Sequence, residues 1–194
     1  MSERELIIGL VGPSGVGKGY CKDALKANYP NLFSEPVVVT TRPQRPTDGL
    51  DRKAGIPLEE FMNMQEKGIV VLAHQPFGEG ADWYGFMAES LENKEKIVLT
   101  EVHVDNIEPF KQLYGDKVKL VALVADPDYL RRNLVDRNTE SSEEVQIRLK
   151  EALREIELIN NFLKQGLIDT AIKVDDENRS KLGEIITEEV ARFL

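Results

Sequence analysis

Seven residues near the start of the chain, Gly12-Pro13-Ser14-Gly15-Val16-Gly17-Lys18, combine three glycines with a lysine at a spacing that suits a phosphate chain. The glycines let the backbone bend until successive N–H groups point inward at phosphate oxygens. A following helix adds the partial positive charge of its N-terminus, and Lys18 is long enough to reach the β and γ phosphates of a nucleotide. A strand-to-helix turn without a ligand needs neither the spacing between Gly12 and Gly17 nor the lysine. The residue after Lys18 is Gly19, not the serine or threonine that would offer magnesium a hydroxyl, so magnesium here would rest on phosphate oxygens and water.

Arginines supply the other candidate phosphate contacts. Arg42 and Arg45 lie in a stretch, Val37 to Thr47, that carries no acid, and with no near partner in sequence they are free to converge on a phosphate by bidentate hydrogen bonds. Arg131, Arg132, Arg137 and Arg148 bracket a polar stretch, Asn138 to Glu144, whose composition suits a mobile flap. An arginine over the equatorial oxygens of a transferring phosphoryl group is worth on the order of 10³ to 10⁵ in rate. His74 has nothing near it resembling a ligand set and reads as a loop residue. Cys21, the only cysteine, has no disulfide partner and no zinc-site companions, which fits a reducing compartment.

These side chains need a scaffold, and the hydropathy pattern supplies one. Apolar runs alternate with amphipathic stretches, the pattern of strands and helices interleaved in a parallel sheet. Strands are expected at Leu6–Val11, Val37–Thr40, Ile69–Ala73, Lys96–Val104, Lys117–Val124 and Ala171–Val174. Helices are expected at Gly17–Ala27, Leu58–Lys67, Pro127–Asp136, Ser142–Lys164 and Asn178–Phe193. The Ser142–Lys164 helix has the clearest period, with Val145, Leu149, Ala152, Leu153, Ile156, Ile159 and Leu163 recurring on one face. Between Thr40 and Phe86, prolines and glycines break the alternation, so this region reads as an insertion with its own short strands, the kind of segment that carries specificity.

The chain has 194 residues, 41% hydrophobic and 30% charged, enough to bury a core and too apolar to be disordered. Its longest apolar runs are too short to cross a bilayer, and the charged N-terminus is unlike a secretory signal, so a soluble cytoplasmic protein with no membrane partner is expected. A formal charge of −9 argues against a general nucleic-acid binder, leaving any anion site as a local concentration of positive charge.

Taken together, the glycine loop, Thr40-Thr41-Arg42-Pro43-Gln44-Arg45-Pro46, Trp83-Tyr84-Gly85, and Arg137-Asn138-Thr139 with Arg148 eleven residues on resemble the guanylate kinase family along nearly the whole chain. The resemblance implies an α/β P-loop NTPase fold of three layers with a parallel central sheet, a small monophosphate-binding insertion and a helical lid. The core would be 1–39 and 87–194, the lid about 131–148, and the insertion 40–86. It implies ATP and Mg²⁺ as co-substrate and cofactor, with ATP on Gly12, Pro13, Ser14, Gly15, Val16, Gly17, Lys18 and Gly19. Lys18, Arg137 and Arg148 would act in catalysis, and Arg42, Arg45, Tyr84 and His103 would bind the acceptor. Glu101 and His103 fall nearest the family's acidic pair two residues apart, which makes Glu101 a candidate for orienting magnesium-bound water. Arg131 and Arg132 belong to a solvated helix face. Small-molecule nucleotides are the expected partners, for a monomer or homodimer.

The base-reading positions depart from the family pattern. Val38 or Val39 falls where a serine is usual, Asp51-Arg52 where the family has aspartate and a phosphate-binding tyrosine, Val71 at the guanine-binding glutamate, and Phe86 at a serine or threonine. Three readings stay open: a GMP kinase as the family default, a kinase of another phosphorylated acceptor (another nucleotide or a sugar phosphate such as ribose 1,5-bisphosphate), and a non-catalytic guanylate-kinase-like binding module.

Overall fold

A computed structural model describes residues 6–46, 48–76, 80–92, 96–136 and 142–194. Strand β1 (Ile7–Val11) is buried along its whole length. Its alternation divides the core: Ile8 and Leu10 point into one apolar cluster, Ile7 and Val11 into another on the opposite face. Helix α1 (Lys18–Asn28) follows, and the chain then makes the short edge strand β2 (Phe33–Ser34). Five parallel strands form the main sheet in the order β2, β7 (Ile97–Val102), β1, β8 (Val118–Ala125), β9 (Thr170–Val174). The β1 strand therefore lies between β7 and β8; the chain leaves β1 toward β2 on one side, and the later connection from β7 to β8 crosses to the other. The carboxyl edge of β1 is thus the crevice where open α/β sheets bind ligands.

Helices cover both faces of this sheet. Cys21 and Leu25 of α1 pack with Leu182, Ile186 and Val190 of α7 (Leu182–Ala191) on one face. Ile107 and Phe110 of α4 (Ile107–Tyr114) pack with Ile159 of α6 (Ser142–Lys164) on the other. The expected α6 period holds for Val145, Ala152 and Ile159, which are buried, but Leu153 is exposed and Glu155 is buried in its stead. Helix α5 (Pro127–Asp136) follows β8. The helix expected over Asn178–Phe193 is a 3₁₀ turn (Arg179–Lys181) leading into α7. No helix among the described residues is long and apolar enough to cross a membrane.

Two expected strands join a different sheet. Strands β3 (Val38–Thr40) and β5 (Val70–His74) belong to a mixed four-stranded sheet, order β4 (Arg52–Lys53), β3, β6 (Tyr84–Met87), β5, with antiparallel pairing of β6 to both its neighbours. Its own small core is Val39, Phe61, Val70 and Met87, with Phe61 coming from α2 (Leu58–Glu66). Helix α2 connects β4 to β5, and β3 pairs in parallel with β4, which makes this sheet mixed. A short helix, α3 (Ala88–Leu91), leads back to β7.

Phe61 is fully buried, and its ring lies 6.0 Å from that of Trp83, the only tryptophan in the chain. Phe61→Ala should therefore cost about 3 to 5 kcal/mol in the stability of the small sheet. The measurement is urea unfolding followed by Trp83 fluorescence, and an unshifted transition would mean that this cluster does not hold the small sheet together.

Candidate active site

The glycine loop is shaped by close backbone contacts. Gly12 adopts φ +153°, and a Cβ there would stand 2.4 Å from the carbonyl oxygen of Leu123 on β8. Gly17, with φ +110°, turns the chain into α1, whose first turn carries no acid and no side-chain cap, so the helix N-terminus stays open to an anion. Lys18 folds back over the loop, its Nζ donating to the carbonyls of Gly12 (2.6 Å) and Pro13 (3.2 Å) and lying 3.9 Å from Glu101 at the end of β7. Glu101 also lies 3.8 Å from Lys22. The structure thus brings the loop, Lys18 and Glu101 into one place.

A cleft of about 270 Å³ opens from this loop toward the small sheet. Gly12, Ser14, Lys18 and Glu101 line its core side; Val38, Arg52, His74, Tyr84 and Phe86 line the other. Of the two valines aligned with a serine, Val38 faces the cleft and Val39 is buried in the small core. At the cleft floor Glu35 accepts hydrogen bonds from Lys22 and Lys26, both 2.5 Å. Burial pushes the Glu35 carboxyl up, but these two lysines more than offset it and hold it below its ordinary value. Ser90 Oγ accepts from the Val37 N–H at 2.9 Å and donates to the carbonyl of Met87, tying together the two chain crossings between the sheets.

Arg42 and Arg45 require a correction. Asp48 lies just beyond the acid-free stretch, and it takes Arg42 Nη2 on both its oxygens (2.8 and 3.0 Å), while its Oδ2 also accepts the Arg45 backbone N–H at 2.7 Å. Arg42 is buried; burial opposes its charge, and Asp48 and the Tyr84 hydroxyl raise its pKa on balance. The hydrogen bond from Arg42, then that from the Arg45 backbone, lowers the pKa of Asp48. Arg42, Arg45 and Tyr84 still line one common groove, with Asp82. Arg52 enters the cleft where the family pattern has a tyrosine.

His74 also differs from expectation. It ends strand β5, and its ring stacks on His103 with centroids 4.9 Å apart. A bulge between Val71 and His74 sets this position, with Leu72 in the left-handed region at φ +56°. Val71 pairs with Phe86 in the sheet and does not line the cleft; His74 does. Burial, then the neighbouring His103, pushes the His74 pKa down to about 4. His103 caps the turn after β7 by accepting from the Asp105 N–H at 3.4 Å, and its Nε2 faces Glu155 Oε1 at 3.4 Å. Sequence reasoning passed over Asn106 and Glu155, because nothing in the chain order marks either as a neighbour of the cleft.

A second cavity lies on the far side of the loop, lined by Gly15, Gly17, Tyr20, Tyr129, Asn133 and Arg179 among others. Asn133 Nδ2 donates to the Gly15 carbonyl at 3.0 Å, and Arg179 reaches Asn133 Oδ1 at 3.4 Å. The signal for Arg179 was its place just past the carboxyl end of β9. Arg131 and Arg132 are exposed on α5, as expected of a solvated face, and Arg132 pairs with Asp176. Arg148 is half-buried on α6, and Arg137 lies outside the described residues. Cys21 is buried, and burial, then Glu101, pushes its thiol up to about 12, which removes it as a nucleophile.

The sequence model of the guanylate kinase family matches residues 3–182. The guanylate kinase of Streptococcus pyogenes is 33% identical over 168 residues, covering 84% of this chain and 77% of its own length. That of Lactobacillus johnsonii is 27% identical over 183 residues, covering 93% and 89%. In three dimensions the chain resembles the crystal structure of guanylate kinase from Anaplasma phagocytophilum, with TM-score 0.67 and 19% identity, over 100% of this chain and 85% of that one.

His74 yields a pH prediction. Unfolded, its imidazole titrates near 6.5; folded, near 4, so between these values the unfolded state binds more protons. The contribution is complete above pH 6.5 and is lost as pH falls toward 4, amounting to about 3 kcal/mol. His74→Gln should flatten the fall in urea midpoint between pH 7 and 4.5, and parallel curves for variant and wild type would refute the buried neutral imidazole.

Proposed function

The chain belongs to the guanylate kinase family, and from that premise we propose that it phosphorylates GMP at the expense of ATP, acting on soluble nucleotides in the cytoplasm. Family membership makes it a nucleoside monophosphate kinase; GMP as acceptor is the proposal, supported by relatives named guanylate kinase. The observation that carries it is one cleft with the glycine loop, Lys18 and Glu101 on one wall and Arg52 and Tyr84 on the other. Neither the sugar-phosphate reading nor the silent-module reading is favoured by any observation.

In this reading the ATP phosphates lie along residues 12–19, and the adenosine enters the second cavity between Tyr20, Tyr129 and Arg179. The acceptor phosphate is held by Arg45, Tyr84 and Arg42, the last sharing its guanidinium with Asp48. An acceptor oxygen attacks the γ-phosphorus in line, the bond to the β,γ-bridging oxygen breaks, and ADP leaves. Lys18 and the loop N–H groups balance the charge that gathers on the departing oxygens, and Arg137 and Arg148 are assigned to the transferring group by their motif positions.

The oxygen donors offered by the core side of the cleft, the Ser14 hydroxyl and the Glu101 carboxylate, suit magnesium held mainly by water and phosphate. When bound, the ion neutralises phosphate charge. Glu101 would orient its water shell, and Gly19 contributes no ligand.

Lys18→Met should lower the rate of ADP formation in a coupled assay by orders of magnitude with an unchanged circular dichroism spectrum; full turnover would remove the loop from catalysis. A second outcome concerns the base. With Val38 and Phe86 facing the cleft where hydroxyls are usual, GMP should be preferred over AMP, CMP and UMP by less than about 10⁴ in kcat/KM. A larger ratio would mean that other groups read the base in full.

A further inference from the structure

His74 occupies the acceptor cleft with one polar atom to offer, and the hydrogen bonds behind it decide which kind. Asn106 is 4% exposed, and its Nδ2 lies 2.8 Å from both the Leu72 carbonyl oxygen and His74 Nδ1. An amide nitrogen has two hydrogens, one for each of these acceptors. Turned the other way, the Asn106 carbonyl would face the Leu72 carbonyl, two acceptors in contact, and the amide nitrogen would lose both partners. His74 Nδ1 also lies 3.1 Å from the Leu72 carbonyl oxygen. A proton on Nδ1 could go to that oxygen but would then face the Asn106 amide at 2.8 Å, donor against donor, so the closer contact favours an unprotonated Nδ1 and places the proton of the neutral ring on Nε2. The low pKa of His74 keeps the ring neutral at physiological pH.

The surroundings fix the ring as firmly as its proton. The turned backbone at Leu72, φ +56°, presents the carbonyl that anchors Asn106. His103 stacks on the His74 ring, and Tyr84 lies beyond at 6.1 Å. Val38 and Phe86 offer the neighbouring wall apolar side chains suited to a flat base, with Asp51 and Arg52 beside them in the same cleft.

We propose that His74, oriented by Asn106, is the base-reading residue of the acceptor site, and that its Nε2–H donor selects 6-oxopurine monophosphates, GMP and IMP alike. This rests on the cleft being the acceptor site of the kinase. A guanine or hypoxanthine offers O6 as an acceptor, while adenine offers a 6-amino donor at the same place. The donor therefore attracts the first two and opposes the third. A carboxylate in this position would do the reverse, pairing with the N1–H and 2-amino donors, so the exchange of carboxylate for imidazole moves recognition from the 2-amino group to O6.

The test is calorimetric binding of GMP, IMP and AMP to the full chain, alongside turnover of each with ATP. Binding reports the base-reading role even if turnover were absent, so a failure of the kinase reading and a failure of this one are separable. GMP and IMP should bind within about 10-fold of each other, and AMP about 10- to 100-fold more weakly, the worth of one buried hydrogen bond and its mismatch. His74→Ala should erase the GMP-over-AMP preference while ATP binding stays unchanged, which also serves as the folding control. His74→Gln, which keeps an N–H donor of similar reach, should retain part of the preference, and Asn106→Leu should lower it by freeing the ring. A GMP-to-IMP ratio above about 100, or an unchanged GMP-to-AMP ratio in His74→Ala, would overturn the proposal.

Discussion

Gly12 lies against the carbonyl oxygen of Leu123 with no room for a side chain, and the placement of the glycine loop and Lys18 follows from that contact. The close approach holds the turn against β8 at the carboxyl edge of the sheet. From there α1 starts with its N–H groups facing the cleft, and Lys18 is brought back over the loop carbonyls. Because β1 has β7 on one side and β8 on the other, the same edge receives Glu101 from β7, while the adjoining cavity draws on α5 and on the turn after β9. The loop can bind only because the sheet order places it at the crevice.

An acidic chain that binds polyanions must concentrate its positive charge, and several of the cations beside the cleft are paired with acids. Lys22 and Lys26 share Glu35, Arg42 is held by Asp48, and Lys18 and Lys22 flank Glu101. These pairings hold cationic side chains in place before the ligand arrives, which lowers the ordering cost of binding. The Asp48 carboxylate illustrates the balance: it fixes the Arg42 guanidinium through one nitrogen and the Arg45 backbone through another, setting the groove that Tyr84 completes.

Where chain order and chemistry coincide, the sequence was enough. The buried run at β1, the glycine loop and the long period of α6 could all be read from local pattern, because each depends on residues within one or two turns. Helix α4 was missed, since Pro109 within its first turn and only eight residues leave a weak period. Strand β6 was hidden by Gly85, which the close approach of Val70 requires: a Cβ there would lie 2.5 Å from its side chain. The pairings that matter most at the cleft join residues far apart, Asn106 to His74 and Glu155 to His103, and no local pattern announces them. Val71 aligns by position with the family's guanine-binding glutamate, whereas past the irregularity between Val71 and His74 it is His74 that lines the cleft.

Two crossings link the main sheet to the small one: outward from β2 to β3, and back through α3 to β7. Glu35 stands in the first, clamped by Lys22 and Lys26 of α1, and Ser90 stands in the second, bonded to Val37 of the first. Both strands of the connection are therefore tethered at the same level of the molecule, one to the helix that begins at the phosphate loop and the other to its companion. The two sheets also share apolar packing, since Leu72 and Phe86 of the small sheet are buried in the cluster under the main one and Asn106 bonds the Leu72 carbonyl. The spacing of the two cleft walls is thus set by a continuous core as well as by the two tethers, so a cavity made in that core would be felt at the mouth of the cleft.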